Sequence, residues 1–438
     1  MRYDVIVIGA RCAGAPLARF LARGGARVLL CDAADMPSDQ PMSTHFIQPY
    51  GMRILDELGL GERVRAVAPS VDRFVFGCED SLAHIEFPAG QGGSCPRRVD
   101  LDPILVDGAR EAGAEVRLRC RLLDLLRDGE RVTGAVVDDR GTHRSFHADV
   151  VVGADGRHST VAELTGAAEY LGYDGPRAVY WAYYPRPAWY ADDPRYRGAS
   201  FILFTGDELR AVFPTNRDLL LLGIAFPGEQ AAPWRADPAA RMRERLAAHP
   251  LTAPLAEGAA PRGKVLGMLK GRYFFRQACG PGWALVGDAG LFKDPSPGLG
   301  ISDALRDARS LSRALLAGGE AALDAYWRQR DVDSLELFCF AHDLGALDYN
   351  NPLNRLVFAK VAERPDLCER IRGMVERTIS PFDVFSAGQV VGWTLGALLR
   401  GRFGVLRPFF AAGKRTAAVK KELASRQALA RTALVRVP

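Results

Sequence analysis

A chain of 438 residues is too long for one ordinary core and suits two or three packed domains. Its 48% hydrophobic and 25% charged content exclude a disordered chain, and its eight scattered cysteines, with no C-x-x-C pair, read as reduced and mostly buried thiols rather than a disulfide framework. The net charge of +5 is uneven: between Arg400 and Pro438 ten Lys or Arg accompany one acid, Glu422, so this tail carries +9 and leaves −4 on residues 1–399, which excludes a nucleic-acid track on the body.

In chain order, residues 3–8 form a short apolar run ending in glycine, as a buried parallel strand should. A helix over 15–23 and a strand over 27–30 complete a βαβ opening. No apolar leader precedes it, so the protein is expected to be cytoplasmic. Helical patterning follows at 51–58 and 101–112, with strands at 115–119, 131–138 and 148–152. Two regions read as antiparallel sheet, 73–87 and 178–226, closed by a helix near 237–248 and a strand over 266–275. From Ser302 onward the pattern is helical, broken by Pro352, Pro365 and Pro381. The apolar stretch 387–399 is too short to span a bilayer. The fold class expected is α/β: a discontinuous Rossmann-like nucleotide-binding domain (1–72, 96–172 and 277–320), an inserted antiparallel sheet domain (73–95 and 173–276) and a helical C-terminal region (321–438). The basic tail reads as a solvated helical face, with contact to an anionic membrane surface as the sharper alternative. His143 and His147 are four apart in a strand-like stretch, which does not make a ligand pair, and no metal is expected.

Three segments carry the chemistry. In Gly9-Ala10-Arg11-Cys12-Ala13-Gly14, Gly9 can make the tight turn and Gly14 lets the helix lie close on the strand, as a dinucleotide pyrophosphate requires. Arg11 replaces the middle glycine, and its guanidinium is expected on the phosphates or towards the ring. Asp32, at the end of the second strand, suits an adenosine ribose and disfavours a 2′-phosphate. The second segment is a buried strand ending in Asp155-Gly156. The third is a buried strand ending in Gly287-Asp288, followed by Pro295-Ser296-Pro297-Gly298-Leu299-Gly300 before a helix.

On these residues the chain, over roughly 1–320, resembles the group A flavin-dependent monooxygenases and their relatives, the aromatic-hydroxylase and geranylgeranyl-reductase superfamily. The resemblance implies FAD as the cofactor, with NADPH or NADH as a transient reductant or a separate flavin reductase as partner. It implies that Asp155 and Gly156 lie near the FAD and the nicotinamide, that Asp288 binds the ribityl chain, and that Pro295, Gly298 and Gly300 open a helix at the pyrimidine edge. Arg98, leading Leu101 and Leu105, would contact the cofactor, and Leu122 would meet the adenine. Ala162 departs from the family, where an arginine commonly closes the Asp-Gly motif.

For the pocket beside the ring, the resemblance points to Trp181, Tyr183, Ile202, Phe204, Phe213 and Pro214, with plain sheet core as the competing reading for each. The Ser43–Ile47 segment, with Thr44, would run along the ring. His45 is either a donor to flavin or substrate or a satisfied structural histidine. Lys293 is either a cation serving reduced flavin or an anionic substrate, or a solvent-facing lysine. The function expected first is monooxygenation of an aromatic or polycyclic small molecule through a flavin C4a-hydroperoxide, which needs a dry pocket more than acids and bases. The alternatives are reduction of isoprenoid-type double bonds and a non-redox role as cyclase or binding module. Halogenation is set aside, because those enzymes use a lysine in the amino-terminal half and the first lysine here is Lys264.

Overall fold

The computed structural model describes residues 2–38 and 43–435, so the last three residues of the basic tail lie outside it. The opening apolar run is the strand Arg2–Ile8, at the centre of an eight-stranded sheet. On one side it pairs in parallel with Val28–Asp32, which pairs with Glu115–Leu118; on the other it pairs with Thr142–Gly153 and then Trp283–Leu285. Side chains alternate along each strand, so Val5, Val7 and Leu30 enter one core cluster while Ile6, Ile8 and Leu29 enter another. Covering both faces demands apolar residues in succession, and the strand sequences supply them. The first cluster is completed by the helices Gly14–Arg23, Arg98–Glu111 and Gly300–Ala317 through Leu17, Leu101 and Leu305.

The Thr142–Gly153 strand begins earlier than its apolar half predicts. Its polar first half pairs with Arg131–Asp139, adds Phe146 to the same core cluster as Ala135 and Val137, and leaves His143 and His147 exposed.

A second sheet has seven strands, in the order Arg262–Met268, Arg177–Pro185, Leu219–Pro227, Glu208–Thr215, Ala199–Thr205, Arg73–Cys78 and Ser81–Glu86. The two regions join in one sheet, and it is mixed rather than wholly antiparallel: Ala199–Thr205 runs parallel to Arg73–Cys78. The strand expected over 266–275 is two strands. Arg262–Met268 edges this sheet, whereas Gly271–Arg276 joins a three-stranded sheet with Glu169–Gly175 and Leu291–Phe292. The break lies at Lys270-Gly271, where a charge and a glycine interrupt the apolar run.

Alternation again divides the second sheet. Trp181, Ile202 and Ala211 face the flank shared with the first sheet and the C-terminal helices; Tyr180, Leu203 and Val212 face an outer cluster under Pro238–Ala247. The helices Pro352–Ala362 and Pro365–Val375, each begun by a proline whose missing N–H is no loss there, roof the inner face through Phe358, Leu367 and Ile371. Gly319–Gly345 and Leu406–Leu434 pack beside them, with Leu335 and Cys339 against Val419. No helix among the described residues is long and apolar enough to cross a membrane.

Buried Arg177 ties these layers together. Its Nε donates to the Gly345 carbonyl at 3.0 Å, Nη2 to Ala346 at 2.9 Å, and Nη1 to Asp207. Arg177→Met strands three carbonyls, and we expect it to lower the unfolding free energy by roughly 2–4 kcal/mol, judged from losing a buried charged donor. Urea unfolding checks this; an unchanged midpoint would mean that the guanidinium adds no stability.

Candidate active site

One cavity of about 480 Å3 runs from the carboxyl ends of the parallel strands to the inner face of the second sheet. Thirteen of the fourteen expected cofactor residues line it: Gly9, Arg11, Ala13, Asp32, Thr44, Arg98, Leu122, Asp155, Gly156, Asp288, Pro295, Gly298 and Gly300. The exception, Gly14, sits beneath the loop. A Cβ on Gly14 would lie 1.8 Å from the Gly9 carbonyl oxygen, and one on Gly9 would lie 2.4 Å from the Ala154 oxygen. Gly9 also has φ of 102°, which disfavours any side chain. The helix Gly14–Arg23 starts with no side-chain cap; Ala15 N donates to the Arg11 carbonyl and Pro16 has no N–H, so the Gly14 N–H at its first position is what an anion would meet.

Asp32 binds this loop before it binds anything else. One carboxylate oxygen accepts from Ala10 N at 2.8 Å and the other from Ala34 N at 2.8 Å. Each oxygen retains acceptor capacity toward the cavity. Arg11 lines the cavity with its guanidinium tethered to the wall: Nη2 donates to Ser38 Oγ at 3.0 Å, and Nη1 lies 3.4 Å from Asp102 Oδ2. Asp102 is fully buried and also takes two bonds from Arg98, at 2.8 and 3.0 Å. It thus fixes both arginines on the wall. The sequence reading missed Asp102, although its position four residues after Arg98 on a helix is the signal that finds it.

The two aspartates of the later segments differ in their hydrogen bonding. Asp155 accepts from Ser159 Oγ, Thr160 N and Val161 N, at 2.5, 2.7 and 3.3 Å, and so closes the start of the short helix Thr160–Thr165 while bordering the cavity. Burial raises its pKa and these donors oppose the rise. Asp288 has no hydrogen-bond donor among the described residues. Burial pushes its carboxyl up to about 6, against the pull of Lys293, Arg98 and Arg157. An orphan acceptor facing a cavity awaits a polyol or a similar donor.

At the other end of the site, Gly300–Ala317 begins with no side-chain cap. Gly298, at φ 64°, brings the preceding turn against Phe46, where a Cβ would sit 3.3 Å from the ring. Lys293 is buried rather than solvent-facing. Its Nζ lies 2.7 Å from Asp303 Oδ2 in the first turn of that helix. Burial lowers the lysine's pKa, and the Asp303 ion pair works against that. Burial pushes the Asp303 carboxyl upward, but Arg377, Lys293 and Arg306 hold it well below the usual carboxylate range. Arg377 comes from beyond Pro365–Val375, so the C-terminal region reaches the cavity's edge.

Five expected pocket residues do not line the cavity. His45 adopts φ of 62°, which turns it away while its neighbours Thr44 and Phe46 face in; its Nε2 is 2.5 Å from Tyr183 Oη. Burial, then Arg98 and Arg97, lower its pKa to about 3, so it is neutral. Phe213 has the correct face of its strand but is roofed by Phe46, with ring centroids 5.6 Å apart. Pro214 falls on the opposite face by alternation, just past Val212, the last residue of its strand to pair with Ala199–Thr205, where no donor is needed. Tyr183 and Phe204 are likewise covered, by His45 and Tyr349. Trp181 and Ile202 do face the cavity, joined by Val179, Leu209, Ala211, Leu221 and Met268, which sequence patterning did not separate from core.

The donor set fits an FAD: uncapped helix starts for phosphate and pyrimidine, Asp32 for ribose, orphan Asp288 for the ribityl hydroxyls, and an apolar end for the ring. The state of Asp288 also predicts a pH effect. Its folded pKa of about 6 exceeds the unfolded value of 3.8, so the folded chain binds this proton more tightly. The stability linked to it is present below 3.8 and is lost as pH rises through 6. Asp288→Asn should therefore make the cofactor-free chain more stable at pH 8, on the order of 2–3 kcal/mol, with the gain vanishing by pH 4. The same variant should bind FAD more weakly. Thermal unfolding across pH checks this, and a pH-independent difference would refute it.

A family model described as an FAD binding domain matches residues 2–334. Menaquinone reductase of Mycolicibacterium smegmatis is 28% identical over 343 residues, spanning 74% of this chain and 79% of its own. Digeranylgeranylglycerophospholipid reductase of Methanosarcina acetivorans is 26% identical over 332 residues, spanning 74% and 75%. Among solved structures, the flavin-dependent brominase Bmp2 superposes with a TM-score of 0.73 over 92% of this chain and all of that one; at 19% identity the likeness is one of fold. The chain belongs to the FAD-binding-domain family and is an FAD-dependent oxidoreductase.

Proposed function

We propose that the protein reduces a carbon–carbon double bond of an isoprenoid-type substrate, the second of the functions read from the sequence. The observation that carries this reading is the wall opposite the cofactor residues. Val179, Trp181, Leu209, Ala211, Leu221 and Met268 present hydrocarbon and one indole, with no titratable group among them. Hydroxylation of a phenol gains from a base that removes the hydroxyl proton, and this wall offers none. A hydrocarbon chain needs only burial. A narrow apolar cleft continues from the same place. It shares Phe46, Ile202 and Leu299 with the cavity and ends among Leu337, Phe340 and Met374. The two reductases that match along three quarters of the chain support the same choice.

Bound FAD would supply the hydride equivalent. The protein's part is to hold it and to shape the pocket. Arg98, oriented by Asp102, and the uncapped start of Gly14–Arg23 would anchor the phosphates. Asp288 would accept from the ribityl chain. The start of Gly300–Ala317, with Lys293 beside it, would favour negative charge at the pyrimidine edge. The sheet would exclude water from the reacting carbons. Electrons would come from NADH or NADPH visiting transiently, or from a separate reductase.

The test is anaerobic. The FAD-loaded enzyme, reduced with dithionite, is given geranylgeranyl diphosphate, and mass spectrometry should find a product heavier by two hydrogen atoms that does not form without the enzyme. Gly223→Leu, which fills the sheet side of the cavity, should abolish turnover while the flavin spectrum persists. A product heavier by one oxygen atom, formed only in air with an aromatic substrate, would instead establish the monooxygenase reading.

A further inference from the structure

The helix Ala387–Leu398 has the wrong outer face for one in water. Val390, Trp393, Thr394 and Ala397, spaced as one helical stripe, are turned inward; Thr394 and Ala397 are buried, and Thr394 Oγ1 satisfies itself on the Val390 carbonyl at 2.8 Å. The opposite stripe should be polar. It carries Val391 and Leu395 instead, 42% and 55% exposed, and the chain continues through Leu399 at 90% and Phe403 at 66%. Phe410, in the first turns of Leu406–Leu434, is 62% exposed. Large apolar side chains concentrated in this way mark a surface that is covered in use.

Charge says by what. Between Asp383 and Glu422 there is no acidic residue, while Arg400, Arg402, Arg407, Lys414, Arg415, Lys420 and Lys421 fall in the same span. Two of these are neutralised within the protein: Arg415 pairs with Asp343, and Lys420 with Glu336 and Asp383. Arg400, Arg402, Arg407 and Lys414 are exposed and have no ion-pair partner among the described residues. They interleave with the exposed Leu399, Phe403 and Phe410.

We propose that this surface docks the protein on an anionic lipid bilayer. Hydrocarbon flanked by unpaired cations matches the acyl and headgroup layers in turn. The helix, at 12 residues, is too short to span and would lie in the interface. A second copy of the chain fits less well, because a two-fold contact would bring the unpaired cations of each copy together. The inner face of the same helix joins the core that walls the apolar cleft: Trp393 and Phe385 pack on the cluster containing Ile371 and Val375. The proposal does not depend on which reaction the flavin performs.

Flotation of the full-length, FAD-loaded protein with vesicles tests it. Vesicles of phosphatidylcholine with phosphatidylglycerol should carry the protein up, and pure phosphatidylcholine should not; raising salt should weaken the association. Replacing Arg400, Arg402 and Arg407 by Gln should lower the partition coefficient roughly a hundredfold. Leu399→Asp with Phe403→Asp should abolish flotation, with flavin absorbance and thermal unfolding unchanged as evidence of folding. Failure of the wild type to float with anionic vesicles overturns the proposal. So does a dimer, seen by light scattering, that the Leu399→Asp, Phe403→Asp variant converts to monomer, since the face would then belong to a second copy.

Discussion

Between the Gly9 carbonyl and the α-carbon of Gly14 there is no room for a methyl group, and the same is true between Gly9 and the Ala154 carbonyl. The chain must pass through this point from strand to helix while the Thr142–Gly153 strand ends against it. Much of the site follows from that crowding. The helix lies close on the strand, so its uncapped start faces the cavity. The Asp155 segment is delivered to the same cavity because its strand is the parallel neighbour of Arg2–Ile8. Asp32 then holds the loop through the Ala10 amide. A bulkier residue at either glycine would push the loop and its helix away from the two paired strands.

Charge is distributed around this frame in a consistent way. Where a ligand group is expected, the protein leaves a donor or acceptor unmatched, as at Asp288 and the two helix starts. Where no ligand is expected, buried charges are matched several times over: Asp102 by Arg98 and Arg11, Asp303 by Lys293, Arg306 and Arg377. The second set holds the first in place. Arg377 lies outside the segment that matches the family model, yet it pairs with the first turn of the helix that faces the cavity. The helical C-terminal region is thus coupled to the site and is more than a cover for the sheet.

How much of this could be read from sequence depended on how local the constraint was. Gly9, Asp32, Asp155, Asp288 and the 295–300 turn were legible because close backbone approach and ribose or phosphate contact restrict residue type at a given place along the chain. Strands were legible where both faces are buried, and their starts were not where half the strand is polar, as at Thr142. The substrate wall was the weak point. Phe213 and Ala211 share one face of one strand, and only the position of Phe46, brought in from a distant loop, decides that one is covered and the other open. His45 turned on a single positive φ. Asp102 was available from helical spacing and was overlooked because Arg98 drew attention as an isolated contact.

The parallel pairing of Arg73–Cys78 with Ala199–Thr205 has a consequence for how the protein is made. The hairpin of residues 73–86 leaves the ribosome early, with one edge paired and the other bare until Ala199 has been synthesised. Its apolar residues Phe74, Phe76 and Ile85 wait longer still for their roof, since the helices that cover them start only at Pro352. Assembly of the second sheet is therefore late and non-local, a kind of pairing that slows folding and leaves strand edges open to misassociation. During synthesis the early hairpin, rather than the nucleotide-binding sheet, is the part of this chain in most need of a chaperone.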